Sequence, residues 1–320
     1  MNLKTWLGLI LIACSYGQVL VPRRMFDEPS YVYFGYAFLP GNMLAFSACV
    51  FTLGVIVLSE GVCQRFGGVS LWSFASETPQ RLLRVALTAG GCGLAVELIG
   101  QWLGKLWVYP YWTAWFYLLV VLPGFAFYWV SIVESYLAVK AVLDAVGKGL
   151  SLEGQAFLVP DKVVGFIGFG CLGGAAWLFA QWYARHGWEF AVVRPVSQAP
   201  PFYYVLLAFL GGWLVAEWVL ARRRSASLAV GVLSGYWVPA AAVLVSSAVL
   251  SYVMETQNTI HHYWRYVHFP GPDVALTGVR ASVFATWPLH YVVFLMLASV
   301  LIPALAPLFW QPGGRRPRRR

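Results

Sequence analysis

Eight stretches of this chain, near 4-21, 40-59, 82-104, 113-143, 162-184, 201-221, 229-254 and 283-309, run long and apolar with few charges. No other feature restricts the fold as strongly. A helix needs roughly 20 apolar residues to cross the hydrocarbon core of a bilayer. In lipid the backbone must satisfy its own hydrogen bonds, which leaves helices or a closed barrel. Strand-like alternation is absent, so the expected fold is all-α, a polytopic integral-membrane bundle of about eight transmembrane helices in one domain, 1-310. Only 11% of residues are charged and 60% are hydrophobic, far from the roughly 25% charged of a globular protein.

The formal net charge of +9 is therefore a topology signal before it is a ligand signal, and no nucleic-acid partner is expected. With both termini on the cytoplasmic side of a bacterial-type inner membrane, 15 of the 22 lysines and arginines fall inside. Arg23 and Arg24 run against that count. Leu11-Ile12-Ala13-Cys14 resembles a lipoprotein cleavage box, but the apolar run continues to Val21, which favours a retained first helix. Residues 311-320, rich in Gly, Pro and Arg, read as a disordered basic tail against anionic lipid. Five cysteines show no paired metal spacing, so neither a disulfide framework nor a metal site is expected.

The candidate site begins at Glu97. A carboxylate inside an apolar span costs roughly 2.5 kcal/mol or more unless it faces protein, which makes it a functional candidate. Gly90, Gly93, Glu97, Gly100, Gln101 and Gly104 step by three and four and share a helix face. Small residues on that face admit a close neighbour and frame the polar pair Glu97 and Gln101. Such Gly-rich helices also leave room for an oligomer. Ser247, Ser251, Glu255, Asn258 and His262 make a second polar stripe, a possible proton path or pocket wall. Glu97 and Glu255 are the expected acid and base, with Gln101 and His262 beside them. Trp107, Tyr109, Trp112, Trp264, Tyr266, Asn258, Glu134 and His290 are the expected substrate contacts. Glu217 reads as structural, paired with or near Arg222. Gly168-Phe-Gly170-Cys-Leu-Gly173 matches the dinucleotide-fold pattern, but with no strand before it, it reads as helix packing. Pro123 and Pro239 are expected to kink their spans.

The chain also hints at duplication. Glu97 precedes Trp107-Val-Tyr109 and Pro110, while Glu255, 158 positions later, precedes Trp264-Arg-Tyr266 and Pro270. Glu134 advanced by the same offset lands within two residues of His290. Two four-helix repeats, 1-150 and 160-310, would account for this.

Glu97-Leu-Ile-Gly100 with Trp107-Val-Tyr109-Pro110, and less clearly Glu255 with Trp264-Arg-Tyr266, resembles the polytopic carotenoid-biosynthesis proteins of the lycopene-cyclase and carotenoid-hydratase type. The adjacent glutamate pair of the cyclases is absent. The resemblance implies acid–base addition to a long polyene without a metal or other cofactor. The functional expectation is an integral-membrane enzyme acting on a hydrophobic isoprenoid or lipid. The alternatives are a transporter or channel using the membrane glutamates, and a non-catalytic scaffold or pigment-holding subunit.

Overall fold

The computed structural model describes residues 2–16, 31–33, 36–38, 40–110, 112–147, 161–261, 263–271 and 274–312. Its helices are α1 (Leu3–Tyr16), α2 (Pro40–Arg65), α3 (Leu71–Ala75), α4 (Pro79–Leu103), α5 (Ala114–Val146), α6 (Asp161–His186), α7 (Phe202–Arg222), α8 (Leu228–Leu233), α9 (Val238–His261), α10 (Ala281–Leu301) and α11 (Leu305–Trp310). Six short strands form three antiparallel ribbons: β1 (Tyr31–Tyr33) with β2 (Tyr36–Phe38), β3 (Trp107–Val108) with β4 (Arg265–Tyr266), and β5 (Ala275–Leu276) with β6 (Val279–Arg280). The fold is an all-α multi-pass membrane bundle.

Among the described residues seven helices, not eight, are long and apolar enough to cross a bilayer: α2, α4, α5, α6, α7, α9 and α10. The first stretch yields only the 14 residues of α1. The expected span 229-254 breaks where Gly235, at φ 88°, makes a turn that a side chain would strain. Its first part becomes α8 and its second opens α9 at Val238. Pro239 thus lies in the first turn of α9, where its missing N–H costs nothing, and does not kink a span. The last stretch likewise breaks after Leu301, leaving α11 as a separate turn. Pro288 lies inside α10, and Pro123 lies inside α5 just past its π-helical stretch.

Polar caps start the elements on both sides of each turn. Ser70 accepts the Ser73 N–H for α3, Thr78 the Arg81 N–H for α4, Thr113 the Phe116 N–H for α5 and Ser227 the Val230 N–H for α8. The outward faces stay apolar, with Phe166 82% and Leu87 67% exposed, a surface that only lipid makes inexpensive. Packing partners recur between the halves. Helix α1 packs on α2 and α6 on α7; α2 packs on α5 and α7 on α10; α4 packs on α5 and α9 on α10; and α5 meets α9 across the middle as α10 meets α4.

Glycines mark the closest approaches. A Cβ at Gly93 would lie 2.7 Å from Phe125 Cβ on α5, and one at Gly168 would lie 2.8 Å from the Val215 nitrogen on α7. Among the described residues a Cβ at Gly90, Gly170, Gly173 or Gly174 would meet nothing within 4 Å, so only part of each expected glycine seam packs there.

Candidate functional site

Helix α4 carries the first half of the site to its end. From Glu97 to Leu103 its hydrogen bonding is π-helical, the signature of one extra residue held in a helix. Ten positions separate Glu97 from Trp107, and nine separate Glu255 from Trp264. Lys105 then takes a left-handed φ of 54° and reverses the chain. Leu106 N–H bonds to Gly100 O at 3.1 Å, and β3 runs back past the helix it has just left.

That reversal returns Trp107 and Tyr109 to Glu97. Tyr109 donates its hydroxyl to Glu97 Oε1 at 2.6 Å, Trp107 Nε1 donates to the same oxygen at 3.3 Å, and Tyr117 of α5 donates to Oε2 at 2.6 Å. Trp102 Nε1 in turn donates to the Tyr117 hydroxyl at 2.7 Å. The indole of Trp107 lies flat enough on the helix that a Cβ at Gly100 would fall 2.2 Å from its Cη2. Trp112 stacks on Tyr109 at 5.1 Å between centroids.

The second half repeats the arrangement with different parts. Tyr266 donates to Glu255 Oε1 at 2.6 Å and Asn258 Nδ2 donates to Oε2 at 3.3 Å. Asn258 Oδ1 also accepts the Trp264 backbone N–H at 3.0 Å, which fixes the turn out of α9. Strands β3 and β4 pair with Trp107 opposite Tyr266 and Val108 opposite Arg265, so the two aromatic exits are joined by a ribbon. Burial holds the Tyr109 and Tyr266 hydroxyls well above the usual phenol range, and the neighbouring carboxylates push the same way. Both remain protonated donors.

Between the halves lies a cavity of about 230 Å³. Glu97, Trp107, Tyr109, Trp112, Trp264, Tyr266 and His290, all expected at the site, line it. Tyr128, Phe209 and Trp287 line it too, and a sequence without contacts does not distinguish them from other rings in apolar spans. Tyr117, behind Glu97, is hidden for the same reason. Its partner is twenty positions away on another helix. The Tyr128 hydroxyl lies within electrostatic reach of both Glu97 and Glu255. Cys49, Val120 and Phe127, exposed on the apolar outer face, also belong to the wall. Among the described residues the cavity therefore opens sideways between α2 and α5.

Other expectations separate from the cavity. Glu255 stands behind Tyr266 and Trp264, and Asn258 lines a second cavity with Arg265 and Arg280 across that wall. Gln101 is buried and turns to the loop after α6, donating to Ala191 O at 2.8 Å. Glu134 belongs to the opposite end of the bundle, where Oε1 accepts the Trp72 N–H of α3 at 2.8 Å; it is a helix cap, not a substrate contact. Glu217 caps α8 through the Ala229 N–H at 3.0 Å, while Arg222 faces Asp161 at 3.7 Å, so the expected Glu217–Arg222 association gives way to a cap. Ser247 and Ser251 donate to Leu244 O and Ala248 O of their own helix, both at 3.1 Å. His262 lies outside the described residues.

Lys105 closes the end of the site. It donates to Glu189 O and lies 5.3 Å from the Trp188 ring. Burial lowers its ammonium to about 8, with Glu189 pulling the other way. No group of three or more His, Cys, Asp or Glu side chains suited to a metal occurs among the described residues. Comparisons with protein-family models, with curated proteins and with solved structures each found no match to this chain.

Proposed function

We propose that this chain is an integral-membrane enzyme, built from two copies of a four-helix unit, that performs acid–base chemistry on a hydrophobic isoprenoid or lipid. One observation carries the reading: the Tyr109 hydroxyl lines an apolar chamber and at the same time donates to the buried carboxyl of Glu97 at 2.6 Å. A proton can pass between a ligand carbon or oxygen and Glu97 through that hydroxyl, each bond broken on one side being replaced on the other. The sideways opening between α2 and α5 suits a substrate that arrives from the bilayer, and the aromatic wall suits a conjugated or branched hydrocarbon. Glu255, expected as the second carboxyl, bonds Tyr266 from behind and does not line the chamber, so the acid–base role falls to Glu97. The recurrence of packing partners between the halves supports the duplication. The same proposal keeps the charge-derived orientation, with the site near the non-cytoplasmic face of a bacterial-type inner membrane.

A second reading has its own support. Both oxygens of Glu97 are already engaged by tyrosine hydroxyls, as they would be in a protein that holds a pigment or lipid without converting it. Lipid extraction and mass spectrometry of the purified protein, followed by incubation of the recovered compound with wild type and Glu97→Gln, separates the two. The enzyme reading expects conversion by wild type and none by a variant that still binds. Retention of the compound unchanged by both proteins would sink it.

A further inference from the structure

The chamber's polar atoms are nearly all spoken for. Glu97, Trp107 and Tyr109 bond to one another, and Tyr266 bonds to Glu255. Thr52 and Thr286 return their hydroxyls to Ala48 O and Val283 O of their own helices. Trp287, His290 and Tyr128 differ, the Trp287 indole N–H making no hydrogen bond among the described residues. His290 makes no hydrogen bond among the described residues, and its Nε2 is buried without a partner. The Tyr128 hydroxyl likewise makes none there, and its ring lies 5.8 Å from the imidazole, centroid to centroid.

Among the described residues nothing bonds the imidazole. Its other neighbours are the rings of Phe294 at 4.4 Å and of Trp287 and Phe209 at 6.0 Å. A buried unpaired donor or acceptor carries the full cost of its lost hydration. A neutral imidazole offers one donor and one acceptor, and a phenol offers both. Together they match a single hydroxyl or carbonyl oxygen held between them, with hydrocarbon on either side. A ligand made only of hydrocarbon would leave both groups unpaired.

We infer that the chamber binds a hydrophobic ligand bearing one oxygen function, an alcohol or a ketone, whose oxygen is held by His290 and Tyr128 while its hydrocarbon lies against the aromatic wall. The inference rests on the proposed chamber and adds the ligand's class. It makes His290 a specificity residue, distinct from the Glu97 and Tyr109 pair, since a bonding group that loses its partner discriminates far more strongly than an apolar contact does.

The test uses a matched pair of probes, farnesol and farnesene, titrated into the full-length protein in detergent and followed by quenching of its tryptophans. Farnesol is expected to bind about tenfold more tightly than farnesene, the effect of one buried hydrogen bond. His290→Phe should bring the ratio close to one through weaker farnesol binding, with farnesene unchanged. His290→Gln, which restores a donor and an acceptor, should recover part of the preference. Equal binding of the two probes to wild type, a comparison that needs no variant, would overturn the inference and leave the chamber reading standing. Absence of binding by both would overturn the chamber reading and the inference with it. An unchanged ratio in a folded His290→Phe protein would also overturn the assignment.

Discussion

Glu97 and Glu255 each stand toward the end of a membrane-spanning helix, and each takes a tyrosine hydroxyl at 2.6 Å. The difference lies three residues further on. Position 100 is glycine, and the Trp107 indole lies against the bare helix; position 258 is asparagine, whose side chain bonds to Glu255 and to the Trp264 backbone. In the first half the missing side chain is replaced by Tyr117, reaching in from α5. The first carboxyl therefore depends on a partner from another helix and lines the chamber, whereas the second is completed within its own turn and stands behind Tyr266. Equal shielding does not make the two carboxyls equivalent in chemistry.

Glu97→Gln and Glu255→Gln should sharpen this contrast most. Each replaces an acceptor oxygen with a donor facing a tyrosine hydroxyl, so each should lower stability by about 2 kcal/mol. Under the proposed enzyme reading, only Glu97→Gln should also lower turnover, by roughly 10²–10⁴-fold. Detergent unfolding curves and conversion of the extracted compound measure the two effects. Similar turnover losses would break the assigned asymmetry.

Gly100→Ala against Asn258→Ala comes next. A methyl at 100 collides with the Trp107 ring and should cost about 3 kcal/mol, whereas Asn258→Ala loses hydrogen bonds only, about 1.5 kcal/mol. A harmless Gly100→Ala would mean that the close approach of Trp107 is not needed. Tyr117→Phe should cost about 1 kcal/mol by removing one donor from Glu97 and the acceptor of Trp102. The same loss from Tyr204→Phe, remote from Glu97, would show that the carboxyl is not the cause.

The smallest effect concerns the bend after Glu97. Lys105 holds its proton down to about 8 in the folded protein against 10.5 for an ordinary lysine. Between those values the unfolded chain binds more protons, so stability should rise with pH. Burial and the opposing pull of Glu189 act against each other, so the rise should be small. Melting temperatures of wild type and Lys105→Met at pH 8 and pH 10 check this, and a rise of equal size in both proteins would assign it elsewhere.

Much of the membrane architecture was legible in the residues. Seven of the eight apolar stretches contain helices long enough to span, and within 229-254 a turn at Gly235 divides an apolar run that carries no charge to mark the break. Glu97, Trp107 and Tyr109 were legible as one group because the chain brings them together within a single reversal. Glu134 was misplaced because its distance from a membrane end says nothing about which helix terminus requires a cap. Tyr117, Tyr128 and the freedom of His290 were hidden because an aromatic ring in an apolar span has the same sequence signature whether it faces lipid, core or cavity.

The sequence alone determined that this chain is a helical membrane protein with acidic groups turned inward, since hydrocarbon can neither hydrogen-bond a backbone nor solvate a carboxylate. Only the tertiary structure decided which partners those groups meet. The pairing of β3 with β4, the Tyr117 bond to Glu97 and the lack of a partner for His290 Nε2 among the described residues depend on segments distant in the chain, and side-chain hydrogen bonds are too short in range to be set until the helices have packed.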